Sequence, residues 1–552
     1  MTEWLLSGHN TQEWAGLARP MSLTATETVV NDQTVWVLDQ LAGGNADLDR
    51  TLKPIVLVQG RVYLSINYLL RNVAAVLPFD SASVGVPAEQ VPADLVSETP
   101  QVARAQQLLL LLRFRRLYRW AASFYRRRLA DHNNTVKGLY WQLREESAVP
   151  LPVIQSLFAP EFFARLMETA RAHAAITMIV TVLDSVLRQR APQLLSLFVG
   201  QATATALIGQ RIWDLRRTAE QCGPEVRRML TEGTVELDAY EALAGADPLV
   251  AGVQAFLREY GHRGFRFERD FETERLADYP EHVLLAVAGQ LSEDEPPEVR
   301  AASARQVALR ALRRMNPVQQ LFWRWILRWG QRLISWRENS NSSLALGQAT
   351  YGLAARRLAR RLYPGQPDDV MMFYTLEEFL ACVRSRGEQR VDQEALDRRR
   401  AQFELNRTQP PPPELIWYAP LTHHWRPALE QEAETPISAL AQMHGIAASA
   451  GSGPVEGIAV VTNDPLDAGR RLLELKEPVV LVTRLTDPAW SSLFRRLSAV
   501  VTELGGVISH AAIVARENGL PAVVGVPGAT RRVRDGQRLR VDGATGSVEV
   551  IA

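Results

Sequence analysis

The sequence predicts a multidomain α and α/β protein: a small N-terminal mixed region, a mostly helical central domain and a C-terminal α/β domain. Three observations predict it. From about Val102 to Phe403 the chain reads as helical, with apolar residues at amphipathic spacing. From about Gly445 onward, short apolar runs alternate with glycine turns and helical stretches. Between them, Thr408-Gln409-Pro410-Pro411-Pro412-Pro413 is a stiff polyproline-type spacer, followed by a polar, aperiodic stretch to Met443. The predicted units are therefore 1–100, 101–404, a Pro-rich linker 405–443, and 444–552.

Taken in order, the first ninety or so residues read as strands and turns. Ile55–Leu64 forms two short strands around a glycine turn. Leu108–Leu129 is a long amphipathic helix whose Arg113, Arg115, Arg116, Arg119, Arg126, Arg127 and Arg128 suit a solvated face with snorkelling stems. Leu321–Trp329 continues into Ser335-Trp336-Arg337, where aromatics at helical spacing fit a core better than a ligand wall. In the last unit Gly451-Ser452-Gly453-Pro454 opens a strand, not a helix, so it fails the test for a dinucleotide fingerprint. Pro478–Thr483 and Ser498–Thr502 are short buried-type strands, and Asp542–Gly546 is a turn joining the last two strands.

Composition limits the function. The 552 residues are 47% hydrophobic and 22% charged, a globular balance. A net charge of +1 gives no electrostatic case for nucleic acid or membrane partners. Lys53, Lys137 and Lys476 are the only lysines, and no Gly-x-x-x-x-Gly-Lys-Ser/Thr occurs, which excludes a P-loop. Cys222 and Cys382 stand apart without metal-ligand spacing, so neither a metal site nor a disulfide framework is expected. The N-terminus lacks a signal-peptide pattern, and the longest apolar run, Ala174–Leu183, is too short to cross a bilayer. A cytoplasmic protein is the expectation.

The stretch Thr502–Glu517 carries the chemistry. It reads as a strand end, the Gly505-Gly506 turn and a helix start with Ser509 as N-cap. His510 then falls in the first helical turn, where orphan N–H groups and the helix dipole favour an anion and disfavour imidazolium. Gly505 and Gly506 let the backbone approach a phosphate. A neutral imidazole beside an anion cradle can accept and pass on a phosphoryl group.

Residues from about Gly445 to Val550, centred on Gly505-Gly506-Val507-Ile508-Ser509-His510-Ala511-Ala512, resemble the phosphohistidine (swivelling) domain of the PEP-utilising enzymes. The resemblance implies that His510 is phosphorylated, with Gly505, Gly506 and Ser509 at the phosphate. Arg484-Leu485-Thr486-Asp487-Pro488-Ala489-Trp490 resembles the family's Thr-Asp-Pro-x-Trp element, which makes Arg484 and Thr486 candidate phosphate donors. Tyr260-Gly261-His262-Arg263-Gly264 resembles a signature of the substrate-binding domain of rifampin phosphotransferase-like members. It implies His262 as a proton-transfer group and Arg263 as an anion clamp. An acid usually follows three residues after the last glycine, but Phe267 stands there and Glu268 one later, with Asp270 beyond. Arg337 completes the candidate substrate residues. Gly60-Arg61-Val62-Tyr63, Arg19–Thr24 and Asp368–Glu378, the last expected as strand then helix, are similar to further stretches of the same proteins.

Family members that use ATP carry an ATP-grasp domain, and the resemblance begins after that domain would end. The expectation is a phosphotransferase component of a split system. His510 accepts phosphate from a separate ATP-grasp protein and passes it to a hydroxyl or carboxylate of a small-molecule acceptor. No cofactor is held firmly, and ATP and Mg²⁺ act through the partner. Two alternatives stand: a carrier or regulatory protein without its own substrate, and a ligase-type enzyme that activates a carboxylate by phosphorylation.

Overall fold

The computed structural model describes residues 3–8, 17–42, 48–77, 81, 86, 90–97, 104–146, 149–198, 203–243, 245–264, 271, 274–291, 297–428, 442–507 and 509–551. Glu268 and Asp270 lie outside them.

A five-stranded antiparallel sheet gathers the two ends of the first 430 residues. Its strands are β1 (Trp4–Ser7), β2 (Ile55–Val58), β3 (Arg61–Ser65), β4 (Leu415–Ala419) and β5 (His424–Pro427), in the order β2-β3-β1-β4-β5. The β2–β3 hairpin turns on Gln59 and Gly60, both at positive φ (46° and 73°), the geometry that matches strand twist in a two-residue turn. Two expectations are corrected here. The N-terminal region also holds a 23-residue helix, Pro20–Ala42, which packs against the central helices. Of the 405–443 stretch, the described residues 405–428 do not form a free spacer. The helix Gln393–Thr408 runs into it, β4 and β5 extend the N-terminal sheet, and the Tyr63 hydroxyl donates to the carbonyls of Pro412 and Pro413 (3.2 and 3.1 Å). The apolar Leu415-Ile416-Trp417-Tyr418 run is a strand signal that the proline run masks.

The central domain is built on a 46-residue helix, Pro317–Leu362, about 69 Å long at 1.5 Å per residue. Asn316 caps it by accepting from the Gln319 N–H (2.9 Å), and Pro317 begins it. Its interior glycines are close-approach points. A Cβ on Gly330 would lie 2.0 Å from the Phe198 ring, and one on Gly352 would lie 1.9 Å from the Phe271 carbonyl oxygen. The helix Pro160–Arg190 packs along it. The stretch Leu151–Arg190 has the length and composition of a membrane span, contrary to the short apolar run read from sequence. Half of that apolar window is buried inside the fold, which is where a core helix keeps its apolar face. Of the Arg-rich helix, Arg113 turns inward to the Leu41 and Ala42 carbonyls, while Arg115, Arg116, Arg119, Arg126, Arg127 and Arg128 stay exposed. Val370–Phe373, expected as a strand, is a buried 3₁₀ turn. The helix Leu376–Arg384 follows, with a reciprocal Thr375/Glu378 cap. Four buried apolar residues in a row read alike in either conformation.

The C-terminal α/β domain has eight strands: β6 (Gln442–His444), β7 (Ile446–Ala450), β8 (Val455–Val461), β9 (Val479–Thr483), β10 (Ala499–Thr502), β11 (Pro521–Val524), β12 (Arg538–Asp542) and β13 (Ser547–Val550). Their order is β6-β13-β12-β8-β9-β10-β11-β7, with β8 to β11 parallel. Gly445 alone joins the two edge strands, and its N–H donates to the Gly546 carbonyl (2.9 Å), so the sheet wraps round and its edges meet. All five residues of β9 are buried, as a parallel strand covered on both faces requires.

Candidate functional site

The loops after β9 and β10 lie side by side at the carboxyl ends of the parallel strands, where open α/β sheets present ligands. The Leu504 N–H donates to the Arg484 carbonyl (3.0 Å). Gly505 adopts φ 116°, which a side chain would strain. The Ser509 N–H donates to the Gly506 carbonyl (3.0 Å), and Ser509 caps the helix His510–Asn518 by accepting from the Ala512 N–H (3.4 Å). His510 is therefore the first residue of that helix, as expected. Nε2 of its ring lies 3.2 Å from Ser491 Oγ, and Phe494 meets the ring edge-on.

Part of the surroundings of His510 comes from the other domain. Burial, then the charges of Arg263 and Arg337, hold its pKa down at about 3, so the ring is neutral at physiological pH. Both arginines belong to the helical domain and are themselves buried. Arg337 pairs with Glu338 (2.5 Å). Arg263 is fixed through its backbone: its N–H donates to the Tyr260 carbonyl and its own carbonyl accepts from Leu276 (both 2.9 Å). The adjacent His262 is buried, with Nε2 3.3 Å from Ser342 Oγ, and burial followed by Arg263, Lys137 and Arg275 pushes its pKa well down. The Tyr260–Gly264 island and the phosphohistidine motif, some 250 positions apart in sequence, thus share one environment.

Not every candidate joins it. Arg484 is half-exposed and pairs with Glu414 (2.5 Å), and its charge is not among those acting on His510. Thr486 is buried, and its hydroxyl has no hydrogen-bond partner among the described residues.

Sequence reading missed the contacts that bind the two domains. Arg516, one turn and a half along the histidine helix, is buried and pairs with Asp184 (3.2 Å). Asp184, fully buried, also holds Arg188 (2.7 Å), whose other nitrogen donates to the Ala447 carbonyl (2.7 Å). Thr203 donates to Glu517 (3.1 Å), and burial plus the neighbouring Glu338 raises the Glu517 pKa to about 8. His282, also buried, donates through Nε2 to the Ala489 carbonyl (2.6 Å) in the turn that carries Ser491. Asp184 was visible in principle, as the sole acid in the apolar run from Ala174 to Leu187.

An apolar cavity opens along the same long helix. Met21, Phe158, Phe163, Phe271 and Tyr351 line it, with the amides of Gln33 and Gln348. The side-chain oxygens of both glutamines are buried and unpartnered among the described residues. Gln348 lies three turns from Arg337 on one helix face, about 16 Å along the axis.

Comparison with known proteins matches two stretches of the chain. Residues 475–546 match the mobile domain of PEP-utilising enzymes, and residues 165–338 match the fourth domain of rifampicin phosphotransferase. A rifampicin phosphotransferase of Streptomyces sviceus is 39% identical over 199 residues, covering 36% of this chain and 21% of the relative. A rifampicin phosphotransferase of Bacillus cereus is 49% identical over 100 residues, 18% of this chain and 11% of the relative. An uncharacterised Mycobacterium bovis protein is 30% identical over 340 residues, 59% of this chain and 34% of the relative. The chain thus spans about a fifth of the length of the Streptomyces relative it matches. The chain is thus similar to the PEP-utilising enzymes over two stretches, the mobile domain and the rifampicin phosphotransferase fourth domain on which it is seated.

Proposed function

We propose that the chain is the phosphoryl-accepting and phosphoryl-delivering part of a phosphotransferase. His510 takes a phosphoryl group from an ATP-grasp partner and delivers it to a small-molecule hydroxyl in the helical domain. The observation that carries this reading is the positive potential that Arg263 and Arg337 of one domain impose on the neutral His510 of the other. A dianionic phosphoryl group on the ring would neutralise that potential, and the same guanidinium groups would stabilise the charge spread over its oxygens during transfer. In delivery the acceptor oxygen forms the new O–P bond as the N–P bond breaks and its electron pair returns to the ring. The acceptor proton goes to His262, which is neutral and becomes a better base once phosphate charge offsets its three cationic neighbours. The cavity beside Tyr351 and Phe271 suits an acceptor with an apolar body and a polar group for the two glutamine amides. ATP and Mg²⁺ belong to the charging step on the partner.

The test is charging by a cognate ATP-grasp protein, followed by peptide mapping and single-turnover chase. Acid-labile, base-stable label on His510 is expected, and His510→Ala should carry none. Label on Ser509, His262 or another residue would overturn the reading. Stable label that no hydroxyl compound discharges would favour the carrier alternative.

A further inference from the structure

The net charge of +1 conceals a strongly basic face on the helical domain. Between Glu298 and Glu338 the sequence holds nine arginines and no carboxylate, and between Glu98 and Asp131 it holds eight arginines and none. The two stretches meet in space, because Tyr118 of the Arg-rich helix packs its ring on Trp329 of the long helix Pro317–Leu362, with centroids 4.2 Å apart. Arg115 and Arg119, each within one turn of Tyr118, are exposed. On the long helix Trp323, Ile326, Leu327 and Leu333 turn into the core. Val318, Leu321, Phe322 and Trp325 lie on the opposite face and stay between 48% and 79% exposed. Arg324, Arg328 and Arg332, spaced four apart, form an exposed row beside them. Trp325 leans on Trp329 (centroids 5.6 Å), which joins this ledge to Tyr118, and the exposed Arg313 and Arg314 stand in the turn that leads into it. None of these arginines meets a carboxylate among the described residues.

We propose that this ledge docks the protein on a bilayer surface that carries anionic phospholipid. Leu321, Phe322 and Trp325 enter the boundary between headgroups and acyl chains, and the flanking arginines meet the phosphates. The inference stands apart from the phosphoryl-carrier reading, since it uses none of the residues around His510. Apolar side chains that project from one helix face, beside a row of guanidinium groups, call for a partner that is anionic at one depth and apolar just beneath it. An anionic bilayer offers both at the spacing of a single helix face. Arginine stems lie along the apolar layer while their heads reach back to the phosphates. A second copy of this chain fits worse, because a two-fold contact would set the arginine rows against each other. An acidic polypeptide would answer the charge and leave the projecting side chains in water. The even balance of the whole chain therefore misleads about this partner: the charges are segregated, and the segregated face is also the apolar one.

Co-sedimentation of the whole chain with vesicles tests this. Vesicles of phosphatidylglycerol and phosphatidylcholine in equal parts should carry the protein down, and pure phosphatidylcholine should not. Raising the salt from about 0.1 to about 0.5 M should weaken binding. Leu321→Ser together with Trp325→Ser should weaken it roughly tenfold or more, the scale of losing two apolar side chains from the boundary layer. Arg324→Gln together with Arg328→Gln should weaken it roughly tenfold and flatten its salt dependence. All four positions are exposed, so both double variants should melt with the wild type. Failure of the wild type to bind the anionic vesicles would overturn the proposal, as would undiminished binding by either double variant. A concentration-dependent dimer that the Leu321→Ser, Trp325→Ser variant dissolves would assign the face to a second copy and refute it. Tight binding to soluble polyglutamate that the same variant leaves intact would assign the face to an acidic polypeptide and refute it too.

Discussion

Asp184→Ala is the sharpest test of how the two domains are held. Asp184 is fully buried and is the shared carboxylate of Arg188 (2.7 Å) and Arg516 (3.2 Å). Arg516 is also buried, and burial lowers its pKa to about 10, so its charge is already costly. Removing the carboxylate leaves a buried guanidinium uncompensated, which costs about 3–5 kcal/mol. Opening the domains restores water to Arg516, so most of that cost falls on docking. The docked-to-open ratio should drop by roughly 10²–10³-fold. Small-angle scattering should show a larger radius of gyration, and calorimetry should resolve two unfolding transitions in place of one coupled transition. Arg516→Met on top of Asp184→Ala removes both charges and should recover part of the loss. If Asp184→Ala matches the wild type in scattering and in melting, the network is not what holds the domains together.

Four further outcomes follow. Docking should weaken as pH rises between about 6.5 and 8. Glu517, ordinarily near 4.5, titrates at about 8 when docked, so the docked form holds the extra proton. His510, ordinarily near 6.5 and about 3 when docked, is half protonated in the open form at pH 6.5 and largely neutral in both states above about 7.5, so it offsets part of the slope only at the lower end of that window. The slope is at most about 1.4 kcal/mol per pH unit, and Glu517→Gln should flatten it in pH-dependent scattering. His262→Ala should leave charging of His510 intact and slow delivery ~10²–10⁴-fold in a single-turnover chase. Gly330→Ala should destabilise the central domain by about 1–3 kcal/mol in denaturant unfolding, because the new Cβ meets Phe198 at 2.0 Å. Gly352→Ala should displace Phe271 and reduce acceptor affinity in calorimetry, with charging unaffected.

What could be read from sequence was whatever is local. The glycine turn, the Ser509 cap and the helix start lie within nine residues, and backbone sterics and capping fix them without tertiary help. The parallel strands were legible as short apolar runs because burial on both faces removes polar alternation. Reading failed where pairing is long-range. Leu415–Ala419 is a strand because β1, some 410 residues earlier, offers it an edge. Ser491, Asp184 and Glu517 matter only through partners on other elements, so no local pattern marks them. Arg484 shows a converse case. Its place in a family-like loop suggested a phosphate donor, but Glu414, from the stretch taken for a spacer, claims its guanidinium in this arrangement.

That arrangement also bears on the order of events. The docked state selects against a protonated ring at His510 and against a charged carboxylate at Glu517, and both selections come from the facing domain. The two sites therefore pull docking in opposite directions with pH below about 6.5, where His510 would gain a proton when released. An uncharged ring beside Arg263 and Arg337 adds no negative charge to their surroundings, whereas a phosphorylated ring would. Phosphorylation should thus favour docking at the helical domain, and delivery of the phosphoryl group should weaken it. Under the proposed function the asymmetry would supply a direction: a charged carrier would be drawn to the acceptor site and a spent one released from it. Phosphoramidate-labelled protein should accordingly scatter as the more compact species, and labelling that opens the structure would refute this ordering.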